Sequence, residues 1–148
     1  MDIQSTRVHF YMMRKTSFTM ANSIVNFDAP KLNVGDAMNS SSGVFTAPVP
    51  GIYHFSFKGM KEDVSEALYL YLRLNKIAVA STYGDYYLLY HPPFVVSLQA
   101  TLKLNAGDIV DLYKVGKGVL VENRNPDRVL TYHTQFSGSL LDQDLMAL

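Results

Sequence analysis

Four histidines, His9, His54, His91 and His133, are the side chains of this 148-residue chain best suited to ligate a transition metal or carry a proton near neutral pH. They are widely scattered and no His-x-His pair occurs, so ordinary surface or interface positions are expected for all of them. Asp108, Asp111, Glu122 and Asp127 fall at no spacing that would pair two carboxylates for acid–base work, and they read as solvated loop carboxylates. The absence of cysteine removes any disulfide framework, thiolate ligand or cysteine nucleophile. A Gly-x-Ser-x-Gly elbow, a P-loop and a dinucleotide fingerprint are missing as well. An enzyme is not expected.

What the chain does offer is tyrosine. The segment Gly84-Asp85-Tyr86-Tyr87-Leu88-Leu89-Tyr90-His91-Pro92-Pro93-Phe94 gathers aromatics where turn chemistry predicts a loop. Large apolar groups are unfavourable if left wet, so they either fold over the core or an assembly apex, or they form a recognition surface. In the second case Tyr86, Tyr87, Tyr90 and His91 are the ligand-binding candidates, because such rings give stacking faces with polar tips suited to sugars or protein ligands. Asp85 is the only acid of this loop, and a hard cation wants six or more oxygens and usually several carboxylates. No cofactor is expected, and a calcium site here would lack its ligands.

The elements that position these residues carry a two-residue period. Gly43-Val44-Phe45-Thr46-Ala47-Pro48-Val49-Pro50-Gly51-Ile52-Tyr53-His54-Phe55-Ser56-Phe57 reads as strand, tight turn, strand. Tyr53, Phe55 and Phe57 share one face, while Pro48 and Pro50 forbid a helix and Gly51 is expected to free the backbone for the reversal. Leu68, Leu70, Leu72 and Leu74 alternate with Tyr69, Tyr71 and Arg73, which leaves the tyrosines either half-exposed or facing another subunit. Val96–Leu104 and Ile109–Tyr113 flank Asn105-Ala106-Gly107-Asp108, a turn that predicts a hairpin. Ile24–Phe27 is a further strand, Asn33 through Gly43 is loop chemistry, and a last strand runs from Thr131 to Leu141. Short strands between Gly, Pro and Asn turns predict an antiparallel sandwich or barrel in one domain.

A hydrophobic content of 48% supports a packed core, and a charged content of only 18% is consistent with burial in an oligomer or with a large core. Thirteen basic and thirteen acidic residues cancel, which gives no electrostatic case for nucleic acid or an anionic membrane. No apolar run reaches membrane-spanning length. Met1–Arg7 lacks the profile of a signal peptide, so the chain either avoids that export route or has lost a leader. Asn39-Ser40-Ser41 fits the N-glycosylation pattern.

From Arg7 to Leu141 the sequence resembles the globular head domain of complement component C1q, which shares the tumour-necrosis-factor-like jelly roll. The matching blocks run in order: Val8-His9-Phe10, Ile24-Val25-Asn26-Phe27, Asn33-Val34-Gly35, and Gly43 to Phe57 with its Pro48 and Gly51. Leu104 with Gly107-Asp108-Ile109-Val110, then Phe136-Ser137-Gly138 with Leu140-Leu141, complete them. The resemblance implies an all-β jelly-roll sandwich of about ten strands at residues 7–142, with flanks at 1–6 and 143–148. It also implies a homotrimer, extracellular placement, and recognition of glycan, microbial-surface or protein ligands without catalysis. Phe10, Tyr53, Phe55, Phe57, Tyr69, Tyr71 and Phe136 would then supply the core or the trimer interface. Relatives often bind calcium in the loop after Ser81-Thr82-Tyr83, but here only Asp85 remains for it. No collagen-like Gly-x-y stem is present, so a trimer would be held by the heads alone. A structural or adhesive trimer is the alternative role. A cupin-like metal site is the enzyme alternative, on the faint likeness of Gly51–His54 and Ala106–Val110, and it has no His-x-His to support it.

Overall fold

The computed structural model describes residues 6–62, 66–86, 93–122 and 132–147. Eleven strands run through them: β1 (His9–Arg14), β2 (Ser23–Ile24), β3 (Ala29–Val34), β4 (Met38–Asn39), β5 (Val44–Thr46), β6 (Gly51–Lys61), β7 (Leu68–Leu74), β8 (Ile77–Gly84), β9 (Phe94–Leu104), β10 (Ile109–Val115) and β11 (Thr134–Gln143). One antiparallel sheet has the order β3-β1-β11-β6-β9; the other runs β4-β5-β10-β7-β8, with β2 paired to β10. The expected all-β sandwich is present. β3 and β4 fall within or beside the stretch expected to be loop, and of Ile24–Phe27 only Ile24 is in a strand.

The turn at Asn105–Asp108 corrects the hairpin expectation. It closes tightly, with Gly107 at φ +89° and the Asn105 amide donating to Asp108 Oδ2 at 2.7 Å. Yet β9 pairs with β6, and β10 with β5 and β7, so the turn carries the chain from one sheet to the other. The reason lies outside the turn. The Gly107 amide donates to Ala47 O and the Ala47 amide to Asp108 O, which pins the turn to the connection after β5.

Alternation then fills the space between the sheets. Tyr53, Phe55 and Phe57 of β6 are essentially without exposure, as are Phe10 of β1, Phe136 of β11, and Leu68, Leu70 and Leu72 of β7. Ring centroids lie 5.1 Å apart for Phe10–Phe136 and 5.3 Å for Phe45–Phe55, both in the edge-on geometry that aromatic quadrupoles favour. Burying each such side chain contributes roughly 1.5–3 kcal/mol. The phenol of Tyr53 donates to Val49 O at 2.6 Å, and burial pushes its pKa up. Phe10, Tyr53, Phe55, Phe57 and Phe136 are therefore core residues of a single chain.

Gly51 is needed for a reason other than turn freedom. Its φ is not left-handed, but a Cβ there would lie 2.5 Å from Asp142 O and 2.9 Å from Leu140 Cδ1, where β11 crosses it. At one end of the sandwich the inward positions change character. Arg14 and Lys114 are buried there beside Phe18, with Arg14 spread over its ring at 4.8 Å, and Lys61 is buried beside Phe94. Burial lowers the Lys114 ammonium pKa, and its Nζ donates to Gly116 O at 3.2 Å. Glu122 lies in this tier and is no solvated loop acid: it is buried and accepts the amides of His133 and Thr134, each at 2.9 Å.

Candidate ligand-binding face

β7, β8 and β10 turn one set of side chains to the core and the other outward. Register sets the outward set in rows: Val115, Tyr69 and Tyr83 in one, Tyr113, Tyr71 and Ser81 in the next, with Asp111 opposite Arg73 beyond them. Tyr69 and Tyr83 sit directly across from one another with centroids 5.8 Å apart and ring planes within 11°. Both stay in water, at 41% and 60% exposure.

The floor of this face is rigid. Arg73 grips Asp111 with two bonds, Nε to Oδ1 at 2.7 Å and Nη2 to Oδ2 at 2.9 Å, and its guanidinium lies 4.1 Å from the Tyr113 ring centroid. The hydrogen bonds to Asp111 push the Arg73 pKa up further, against the opposing effect of partial burial. Asp111 is only 2% exposed, which corrects its reading as a solvated loop carboxylate: it sits mid-strand and its charge is consumed by Arg73. The Tyr113 hydroxyl donates to Asn22 O at 2.9 Å, whereas no hydrogen bond ties the Tyr69, Tyr71 or Tyr83 hydroxyls among the described residues.

The opposite outer face, on the five-stranded sheet, is built differently. One row across it reads Val34, His9, Ser139, His54 and Thr101, and the next Leu32, Tyr11, Ser137, Ser56 and Gln99. These two rows hold no acid, lysine or arginine. His54 Nδ1 lies 2.9 Å from Thr101 Oγ1, and Leu32 and Val34 keep about two-fifths of their surface exposed at the β3 edge, 41% and 40%.

The residues singled out in the sequence divide accordingly. Tyr86 follows β8 and is 48% exposed, close in sequence to Tyr83. Tyr87, Tyr90 and His91 lie outside the described residues, as does Asp127. Asp85 is exposed, its carboxylate accepts the Tyr86 amide at 2.8 Å, and no group of three metal-ligating side chains occurs among the described residues. His9, His54 and His133 stand apart, exposed or half-buried. Tyr69 and Tyr71 are on the tyrosine face. Sequence reasoning missed Tyr83, Tyr113 and the Arg73–Asp111 pair as members of it. The alternation of Ser81 and Tyr83 was a visible signal, but the pairing depends on strand register.

A family profile described as C1q domain matches residues 9–141. Complement C1q tumor necrosis factor-related protein 3 of Homo sapiens is 35% identical over 114 residues, covering 77% of this chain and 45% of the relative. Caprin-2 of Danio rerio is 31% identical over 140 residues, covering 93% of this chain and 14% of the relative. The chain therefore spans less than half the length of these curated relatives. Among solved structures, the globular domain of zebrafish complement 1qA protein aligns with a TM-score of 0.72 at 23% identity, covering 93% of this chain and 99% of that one. Eiger TNF from S. frugiperda aligns with a TM-score of 0.70 at 10% identity, over 95% and 96% of the two chains. These two structural likenesses speak to the fold, a tumour-necrosis-factor-like jelly roll.

Proposed function

The chain belongs to the C1q domain family, and we propose that it works as a non-enzymatic recognition head that assembles as a homotrimer outside the cell. Its ligands in this reading are glycans, microbial surfaces or proteins. The observation that supports it is the contrast between the two outer faces. The five-stranded sheet presents hydroxyls, imidazoles and edge aliphatics with no acid, lysine or arginine in its two central rows. Depletion of charge is what the centre of a protein–protein interface shows. The other sheet presents partly exposed tyrosines on a locked ion pair, the composition of a contact surface for a ligand. We accordingly assign self-association to the face of β1, β11, β6 and β9, and ligand contact to Tyr69, Tyr71 and Tyr83, with Tyr86, Tyr87, Tyr90 and His91 later in the sequence as further candidates.

The test is a binding screen of purified protein against immobilised glycans, whole microbial surfaces and extracellular proteins, with the mass of the protein measured in the same buffer. Saturable binding by the trimer is expected. Head-to-head clustering of trimers with no ligand bound in any arm would replace recognition by the structural or adhesive role.

A further inference from the structure

We propose that the tyrosine face of β7, β8 and β10 is a binding site for a neutral saccharide. The inference rests on the recognition reading above and names the place and ligand class within it. The stacked pair Tyr69 and Tyr83 keeps 41% and 60% of its surface in water, an unusual outlay for two rings that cross-strand packing could have covered. Their hydroxyls, with that of Tyr71, carry no protein hydrogen bond among the described residues, so each remains free to donate to and accept from a ligand hydroxyl. A pyranose has the complementary chemistry: one face of C–H groups to lie on a ring, and a rim of hydroxyls to meet the phenols.

Charge selects the class further. Among the described residues of these three strands Arg73 is the outward cation, and Asp111 neutralises its charge through bonds from Nε at 2.7 Å and Nη2 at 2.9 Å, so the pair presents little net charge to attract a sulfate, a carboxylate or a phosphate. The same pair fixes the floor, with Arg73 over the Tyr113 ring at 4.1 Å. A saccharide therefore meets a preorganised surface and little ordering cost. The footprint suits a short stretch of chain: three strands at about 4.8 Å spacing and two outward rows give about 10 Å by 7 Å, room for about two sugar rings. A protein partner's hot spots favour a desolvated pocket, and this face is a flat strand surface.

The experiment titrates the full chain with hexasaccharides of β-1,3-glucose, β-1,4-glucose and α-mannose, and with a heparin hexasaccharide as the anionic probe. Calorimetry and tyrosine fluorescence read binding, the latter uncomplicated because the chain has no tryptophan. At least one neutral series is expected to saturate, with Tyr83→Ala weakening it tenfold or more. Tyr83→Phe should weaken it about threefold, since the ring stays and the hydroxyl goes, and sedimentation should show both variants with the parent mass. Binding of heparin alone, or neutral-sugar binding that survives Tyr83→Ala, overturns the site. Binding lost in Tyr90→Ala but kept in Tyr83→Ala also overturns it while leaving recognition standing. No sugar binding at all overturns it too, and a positive result in the protein or microbial arm of the screen then preserves the broader reading.

Discussion

A single missing side chain at Gly138 decides where the last strand can lie. A Cβ at that position would overlap the Phe10 ring and fall 2.9 Å from Phe55 Cδ1, inside the most crowded part of the aromatic core. Both rings are held by neighbours, Phe10 by Phe136 at 5.1 Å and Phe55 by Phe45 at 5.3 Å, so neither can swing away freely. Gly138→Val is expected to destabilise the chain by about 3 kcal/mol, the upper range for overpacking. Chemical denaturation measures it, and an unchanged midpoint would mean the core yields at this point. Phe136-Ser137-Gly138 was legible as one of the matching blocks, but the rings that Gly138 meets were not. Phe10 stands at the other end of the sequence and meets Gly138 only through the β1–β11 register. Asp111 shows the same limit: its partner Arg73 is 38 residues away, and without register a mid-strand carboxylate looks like any solvated acid.

Among the elements, β6 and β7 were plain in the sequence because their alternation separates a buried face from an exposed one. β3 was not, since Ala29-Pro30-Lys31-Leu32 has a proline and little alternation. Pro30 is tolerated because β3 is the edge strand of its sheet and the register shifts where it pairs with β1. The Asn105–Asp108 turn was seen and its destination misjudged, because a turn reports a reversal and says nothing of which sheet receives the next strand. At this scale the account makes a demand on β11. Ser137 lies mid-row between Tyr11 and Ser56, in one of the two rows without acid, lysine or arginine, so Ser137→Asp would place a carboxylate from every copy into the proposed interface. An unpaired charge taken out of water there costs several kcal/mol. The variant is expected to keep the wild-type circular dichroism spectrum and to sediment as a monomer. A folded variant that stays trimeric would move self-association to another face.

For the whole molecule, the ordered blocks from Val8 to Leu141 carried the family and the jelly roll, because the glycines, prolines and aromatics of a sandwich recur at positions its topology requires. Assembly and ligand were less legible: both depend on surface rows that form only when distant strands are set side by side, as with Tyr69 and Tyr83. The loop after β8 offers Asp85 as its lone acid, so association should not draw on calcium. Sedimentation of the purified chain at micromolar concentration, run once with calcium and once with a chelator, tests the central claim most directly. The account predicts one species at about three times the 16.6 kDa chain mass in both buffers, and a stable, monodisperse monomer in both would contradict it.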